Sequence, residues 1–176
     1  MCQVEFPYHP NIYRLDFSPI KRNQDARLCQ VCGCVPELYL DRMYSTETIH
    51  CLCLQCVASG AAADQFDGSY IQDAEWQKVS DPALVKNFFR TTPGYTSWQG
   101  EYWLACCDDF CNFIDYVGIA ELNKMPEKEA ILSDYELLGG FDRATLEEYL
   151  SRDGDITGYL FQCRHCSKYR LYADAS

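Results

Sequence analysis

Apolar residues change their spacing several times along the chain, and each change marks an element. Over residues 1–27, Phe6, Tyr8, Ile12, Tyr13 and Phe17 recur without a period among Pro7, Pro10 and Pro19. Proline breaks helices, so the pattern predicts an irregular arm lying on a core. Glu37 to Tyr44 and Thr46 to Leu54, rich in Tyr, Leu, Thr and Ile, predict a β-hairpin. After Cys56, Val57 to Phe66 then predicts a short helix beginning at the second cysteine pair. Asp81 before Pro82 is an N-cap acid followed by proline at the first helical position. That helix would carry Leu84, Val85, Phe88 and Phe89 on one face and stop near Thr91-Thr92-Pro93-Gly94. From Gln99 to Tyr116, Trp103, Leu104, Cys107, Phe110, Cys111 and Ile114 recur at three- and four-residue steps, a helical period. Helices are also expected at 127–138 and at 142–151, the latter capped by Asp142. Gly158 to Gln162 and Lys168 to Tyr172 read as two closing strands. The sum is an α+β fold with a mainly helical middle region, divided into an N-terminal lobe, 1–70, and a region 71–176 that closes at the C-terminus.

Composition supports a packed domain and bounds its partners. The chain has 176 residues, 48% of them apolar and 14% aromatic, enough for a sizeable core. No run of eighteen apolar residues occurs, and the N-terminal stretch lacks the basic and apolar regions of a secretory leader. The expectation is a cytoplasmic protein that does not enter membranes, in a compartment that keeps thiols reduced. Net charge is −11 and uneven. Residues 1–60 carry five Lys and Arg against six Asp and Glu, residues 61–162 seven against nineteen, and residues 163–176 three against one, giving −1, −12 and +2. Such acidity opposes nucleic-acid binding, which needs clustered cations. It suits a basic protein partner, or simply solubility.

Twelve cysteines carry the candidate chemistry. Four close pairs stand out: Cys29-Gln-Val-Cys32, Cys53-Leu-Gln-Cys56, Cys107-Asp-Asp-Phe-Cys111 and Cys163-Arg-His-Cys166. Two thiolates three or four residues apart can reach one ion from a single turn, so four pairs supply two tetrahedral zinc sites. Cys32 and Cys53 are separated by twenty residues, close to the usual spacing between two Cys-x-x-Cys pairs, so Cys29, Cys32, Cys53 and Cys56 are expected to share an ion. A knuckle, a hairpin and a helix whose first turn gives the last ligands is treble-clef-like. On the expected helix, Cys107 and Cys111 stack one above the other and would meet Cys163 and Cys166, with Cys106 as a rival ligand. Cys2, Cys34 and Cys51 are left over and read as small buried apolar residues.

Four thiolates fill a tetrahedron, whereas a catalytic zinc keeps a position open for water. No His-Glu-x-x-His motif occurs among only three histidines. The two zinc ions are therefore expected to be structural, and no residue is assigned a catalytic role. Iron also suits a tetrathiolate. His165 is expected to face solvent and His9 to pack in the arm. Tyr95, Trp98, Tyr102 and Trp103 read as core, and Asp134, Glu136, Asp142, Glu147 and Glu148 as a solvated helical face first and a partner surface second. A zinc-ribbon regulator bound to nucleic acid, and a metal- or thiol-dependent enzyme, are the competing classes.

Three blocks resemble the CbrC (colicin-tolerance) family of bacterial proteins. They are Leu52-Cys53-Leu54-Gln55-Cys56-Val57-Ala58-Ser59-Gly60; Thr91-Thr92-Pro93-Gly94-Tyr95-Thr96-Ser97-Trp98-Gln99 with Trp103 to Cys111; and Thr157 to Cys166. Tyr8-His9-Pro10 extends the resemblance to nearly the whole chain. The family pattern is similar to His-Cys where this chain has Cys106-Cys107, which points to Cys107 as the ligand. The resemblance implies an immunity or tolerance protein that binds a bacterial nuclease toxin. Such toxins are basic on their DNA-binding face, and the acidic segment 61–162 would then face the toxin.

Overall fold

A computed structural model describes residues 3–176, so Cys2 lies outside the described residues. The chain forms two compact units. The first runs to Glu75 and takes in Val79–Thr96; the second comprises Trp76–Lys78 and Ser97–Ser176. The segment around Asp81-Pro82 thus belongs with the N-terminal residues rather than with the C-terminal region.

In the first unit, β1 (Lys21–Arg22), β2 (Leu38–Leu40) and β3 (Leu52–Cys53) form a small antiparallel sheet in that order. The expected hairpin is present, with Tyr39 opposite Cys53 and Leu40 opposite Leu52, but its strands are short. Helices α1 (Leu54–Ala58) and α2 (Ala61–Phe66) replace the single helix expected after Cys56. The break is at Gly60, whose φ of +78° lies in the left-handed region open to glycine. Helix α3 (Pro82–Thr91) starts as predicted, with the Asp81 side chain accepting from the Ala83 N–H. Its Phe88 ring meets Tyr8 of the arm edge-on at 5.0 Å between centroids. Phe6, Ile12, Leu40, Leu52, Leu54, Val57 and Ala62 fill the core between arm, sheet and helices.

The second unit departs from the expected pattern. The helix anticipated from Gln99 to Tyr116 is instead β4 (Ala105–Cys106), β5 (Asp109–Phe110) and β6 (Asn112–Val117). After β6 come α4 (Ile119–Leu122), α5 (Lys128–Glu136) and α6 (Arg143–Tyr149), then β7 (Ile156–Gln162) and β8 (Tyr169–Ala175). Strands β6, β7 and β8 make an antiparallel sheet in that order, with Phe113 opposite Phe161 and Leu160 opposite Leu171. Alternation sorts β7 between two cores. Tyr159 and Phe161 join an aromatic cluster with Trp103, Phe113 and Tyr116. Leu160 joins Leu171, Ile131, Leu132, Leu146 and Leu150 beneath α5 and α6. Tyr95 and Trp103 are buried as expected, but Trp98 is 55% exposed.

Aromatic residues and valine at 110–117 favour strand, and pairing with β7 outweighs the three-and-four spacing, which any partly buried hairpin can produce by chance. Asp134, expected on a solvated face, is in fact buried. It accepts from Lys168 Nζ at 2.5 Å and Arg170 Nε at 2.8 Å, tying α5 to β8. Arg170 also donates to Gln77 Oε1 and Ala105 O, which secures β4. No helix among the described residues is long and apolar enough to cross a membrane.

Candidate metal centres

Each unit gathers four thiols. In the first, Cys29, Cys32, Cys53 and Cys56 bring their sulfurs within 4.8 Å of one another. Local geometry explains why. Cys29 and Cys32 sit in a tight turn in which Gly33 N–H donates to Cys29 O at 2.9 Å and Cys29 N–H to Cys34 O at 2.8 Å. Gly33 has a φ of +71°. Cys53 ends β3 as the N-cap of α1, and Cys56 lies in the helix's first turn. Pairing of Tyr39 with Cys53 holds that second pair against the sheet, and the Cys53 N–H donates to Cys29 Sγ at 3.3 Å.

In the second unit the group is Cys106, Cys107, Cys163 and Cys166. Cys163 and Cys166 repeat the first turn closely. Ser167 N–H donates to Cys163 O at 3.1 Å, Cys163 N–H donates to Lys168 O at 2.8 Å, and Ser167 has a φ of +60°. Cys29-x-x-Cys32-Gly33 and Cys163-x-x-Cys166-Ser167 therefore share a backbone shape. The His165 and Cys166 N–H groups both donate to Cys163 Sγ at 3.4 Å. Burial pushes the Cys163 thiol up, but these two donors, together with the Cys166 and Cys106 thiols, outweigh it and bring it down to about 6.

The other half of this group differs from the expected pair. Cys107 and Asp108 have φ of 55° and 58° and form the two-residue loop between β4 and β5, the left-handed pair that a type I′ hairpin requires. The loop presents Cys106 and Cys107 together, with their sulfurs 3.8 Å apart, and Cys106 Sγ lies 3.7 Å from Cys166 Sγ. Cys111 is past the hairpin, fully buried, and outside the group. Its N–H donates to Leu104 O at 2.9 Å and its carbonyl accepts from Trp103 Nε1 at 2.8 Å. Burial raises its thiol to about 12. Cys106 thus stands where Cys111 was expected, because the chain turns back after Asp108 instead of continuing as a helix. A signal for this exists in the sequence: Asp108-Asp109 is turn chemistry set between aromatic runs. Asp109 also clamps the two halves, accepting from His165 Nε2 at 2.9 Å and Arg164 at 3.4 Å. His165 remains half-exposed and outside the thiol group.

Among the three leftover cysteines, Cys51 is buried as expected, but Cys34 is exposed. Its sulfur lies 3.4 Å from Cys32 Sγ. His9 is fully buried in the arm, its Nδ1–H donating to Pro93 O at 3.0 Å, and burial lowers it to about 4.

Sulfur spacing tests whether a metal ion fits. Four sulfurs 2.3 Å from a central zinc stand about 3.8 Å apart along the edges of the tetrahedron. The sulfurs of Cys32 and Cys53 are 3.7 Å apart, and those in the second group 3.7 and 3.8 Å. A disulfide would need about 2.05 Å. Both groups can therefore hold a metal ion, with backbone N–H donors already aimed at the sulfurs.

The chain is similar to proteins from several bacteria. It is 33% identical over 148 residues to UPF0167 protein Mb2317 of Mycobacterium bovis, covering 79% of this chain and 77% of that protein. UPF0167 protein MT2352 of Mycobacterium tuberculosis matches to the same extent. UPF0167 protein PA1536 of Pseudomonas aeruginosa is 30% identical over 169 residues, 93% of this chain and 92% of that protein. No solved structure matches. Residues 4–175 match the family described as Uncharacterised protein family (UPF0167), so the two four-thiol centres sit in a chain that belongs to that family.

Proposed function

We propose that the chain is a zinc protein whose two ions hold its two units folded, and that it acts without catalysis, by binding another protein. The observation that carries the metal reading is the sulfur spacing, 3.7 Å between Cys32 and Cys53 in the first group and 3.7 and 3.8 Å in the second. Zinc is favoured over harder cations because the donors are all thiolates. With four thiolates in each group, no position is left for a water nucleophile. The ions' contribution is to folding: binding free energy at such sites is folding free energy.

Charge supports the protein-binding reading. Each zinc tetrathiolate adds about −2 to a chain already at −11. The partner is a basic protein, and by the resemblance to the colicin-tolerance family it is a bacterial nuclease toxin met in the cytoplasm. Nucleic acid and membrane surfaces, both anionic, would be repelled.

Three measurements test the reading. Elemental analysis of protein purified without added metal should find two zinc ions per chain. Binding to a basic nuclease domain encoded beside it should weaken steeply with salt, and co-expression should protect the host. Zinc below one ion per chain would defeat the metal reading. Salt-independent or absent binding, with no protection, would defeat the partner reading.

A further inference from the structure

We propose that Cys34 is an oxidation site that couples hydroperoxide to loss of the first metal centre, by forming a disulfide with Cys32. The inference rests on the zinc reading above. Cys34 and Cys32 are both exposed, and their sulfurs are 3.4 Å apart. That is shorter than the edge of about 3.8 Å between sulfurs of one zinc tetrahedron. Cys34 is accordingly a fifth thiol touching the group from outside. It lines an open groove of about 700 Å³ with Tyr13, Val35, Pro36 and Leu38, through which a small oxidant has access. Only Gly33 lies between them, and the sulfurs have to close from 3.4 Å to the bonded distance of about 2.05 Å.

The second centre supplies an internal contrast. Its knuckle has the same backbone, but the residue after Ser167 is Lys168, whose amine is engaged with Asp134. The position that carries a thiol in one knuckle carries a salt bridge in the other. Oxidation of the second centre must therefore consume two of its own ligands.

The step balances with a hydroperoxide as oxidant. The Cys34 thiol gives its proton to solvent, and the thiolate attacks a peroxide oxygen. The O–O bond breaks, the departing hydroxide takes up a proton from solvent and leaves as water, and Cys34 becomes a sulfenic acid. The Cys32 sulfur then attacks the Cys34 sulfur. The S–S bond forms, the S–O bond breaks, and hydroxide leaves to take a proton from solvent. Two thiol sulfurs are oxidised by two electrons, and peroxide is reduced to two waters. Three thiolates remain in the first group, and its hold on a cation falls.

The test uses the full chain carrying its metal, with hydrogen peroxide as probe, a chromogenic chelator to follow zinc, and peptide mass mapping. Metal content is measured first: a chain without zinc refutes the reading on which this inference rests, not the inference alone. In wild type, one of the two zinc ions should leave about tenfold or more faster than the other, because the reacting sulfurs are already held together. The peptide holding Cys32 and Cys34 should lose two hydrogens in step with that release. Cys34→Ser and Cys34→Ala, both still binding two zinc ions, should lose the fast phase. Equal release rates in wild type and a metal-loaded Cys34 variant would overturn the proposal. So would zinc release with no Cys32–Cys34 crosslink in the wild-type peptide, a result that needs no variant to fold.

Discussion

Replacing Cys106 by Ser and, separately, Cys111 by Ala asks which sulfur completes the second centre. Cys106 Sγ lies 3.8 Å from Cys107 Sγ and 3.7 Å from Cys166 Sγ, both tetrahedral edges, whereas Cys111 is buried outside the group. Structural zinc sites bind with about 10–16 kcal/mol, so an equal share per thiolate is about 2.5–4 kcal/mol. At about 1.4 kcal/mol per factor of ten, Cys106→Ser should weaken the second site by about a hundred- to a thousandfold. Cys111→Ala removes one buried sulfur from the core and should cost about 1 kcal/mol of stability, leaving affinity unchanged. The assay is zinc content after dialysis against graded chelator, read beside a thermal melt. Wild type and Cys111→Ala should keep two ions at a chelator strength where Cys106→Ser keeps one. If Cys111→Ala lost an ion while Cys106→Ser kept both at wild-type affinity, the hairpin account of this centre would be wrong.

Three further outcomes are expected. Ser167→Gly should stabilise the second unit by up to about 1 kcal/mol, because its φ of +60° is strained for serine and free for glycine; Gly33→Ala should do the opposite in the first unit, and melting temperatures decide both. Asp134→Ala should cost about 3 kcal/mol in denaturant unfolding, since it leaves the largely buried Arg170 guanidinium without its carboxylate. Burial raises the Asp134 carboxyl, but Lys168 and Arg170 prevail and hold it below the usual value. Its contribution is therefore present above the unfolded carboxylate pKa and lost as pH falls through the folded one. His9, lowered to about 4 chiefly by burial, is neutral when folded, while the unfolded chain takes up a proton below about 6.5. Stability should thus fall by about 3 kcal/mol between pH 6.5 and 4, and His9→Gln should flatten that part of the profile; an unchanged slope in the variant would refute the assignment.

Much of the first centre is legible in the chain because its determinants are local. A Cys-x-x-Cys turn closed by a left-handed residue places two sulfurs within one turn of backbone, and Cys163 to Ser167 repeats that shape without glycine. Asp81-Pro82 and Asp142 likewise start α3 and α6 where the caps predict. Cys106 escapes assignment because two readings of 99–116 fit the same spacing. A helix would stack Cys107 on Cys111, and a hairpin presents Cys106 with Cys107. Only pairing of β6 with β7, more than forty residues on, selects the hairpin. Cys34 reads as core for a related reason. Its burial depends on which way the strand after the knuckle leaves, and spacing says nothing of that.

The sequence by itself determined that the protein carries two sets of paired thiols, an acidic surface and a mixed α and β core, since composition and turn chemistry act within a few residues. Tertiary structure decided which sulfurs meet, which carboxylate is buried against Arg170, and which thiol stands beside the first centre. Those outcomes depend on contacts between residues far apart in the chain, where β pairing and burial outweigh local periodicity.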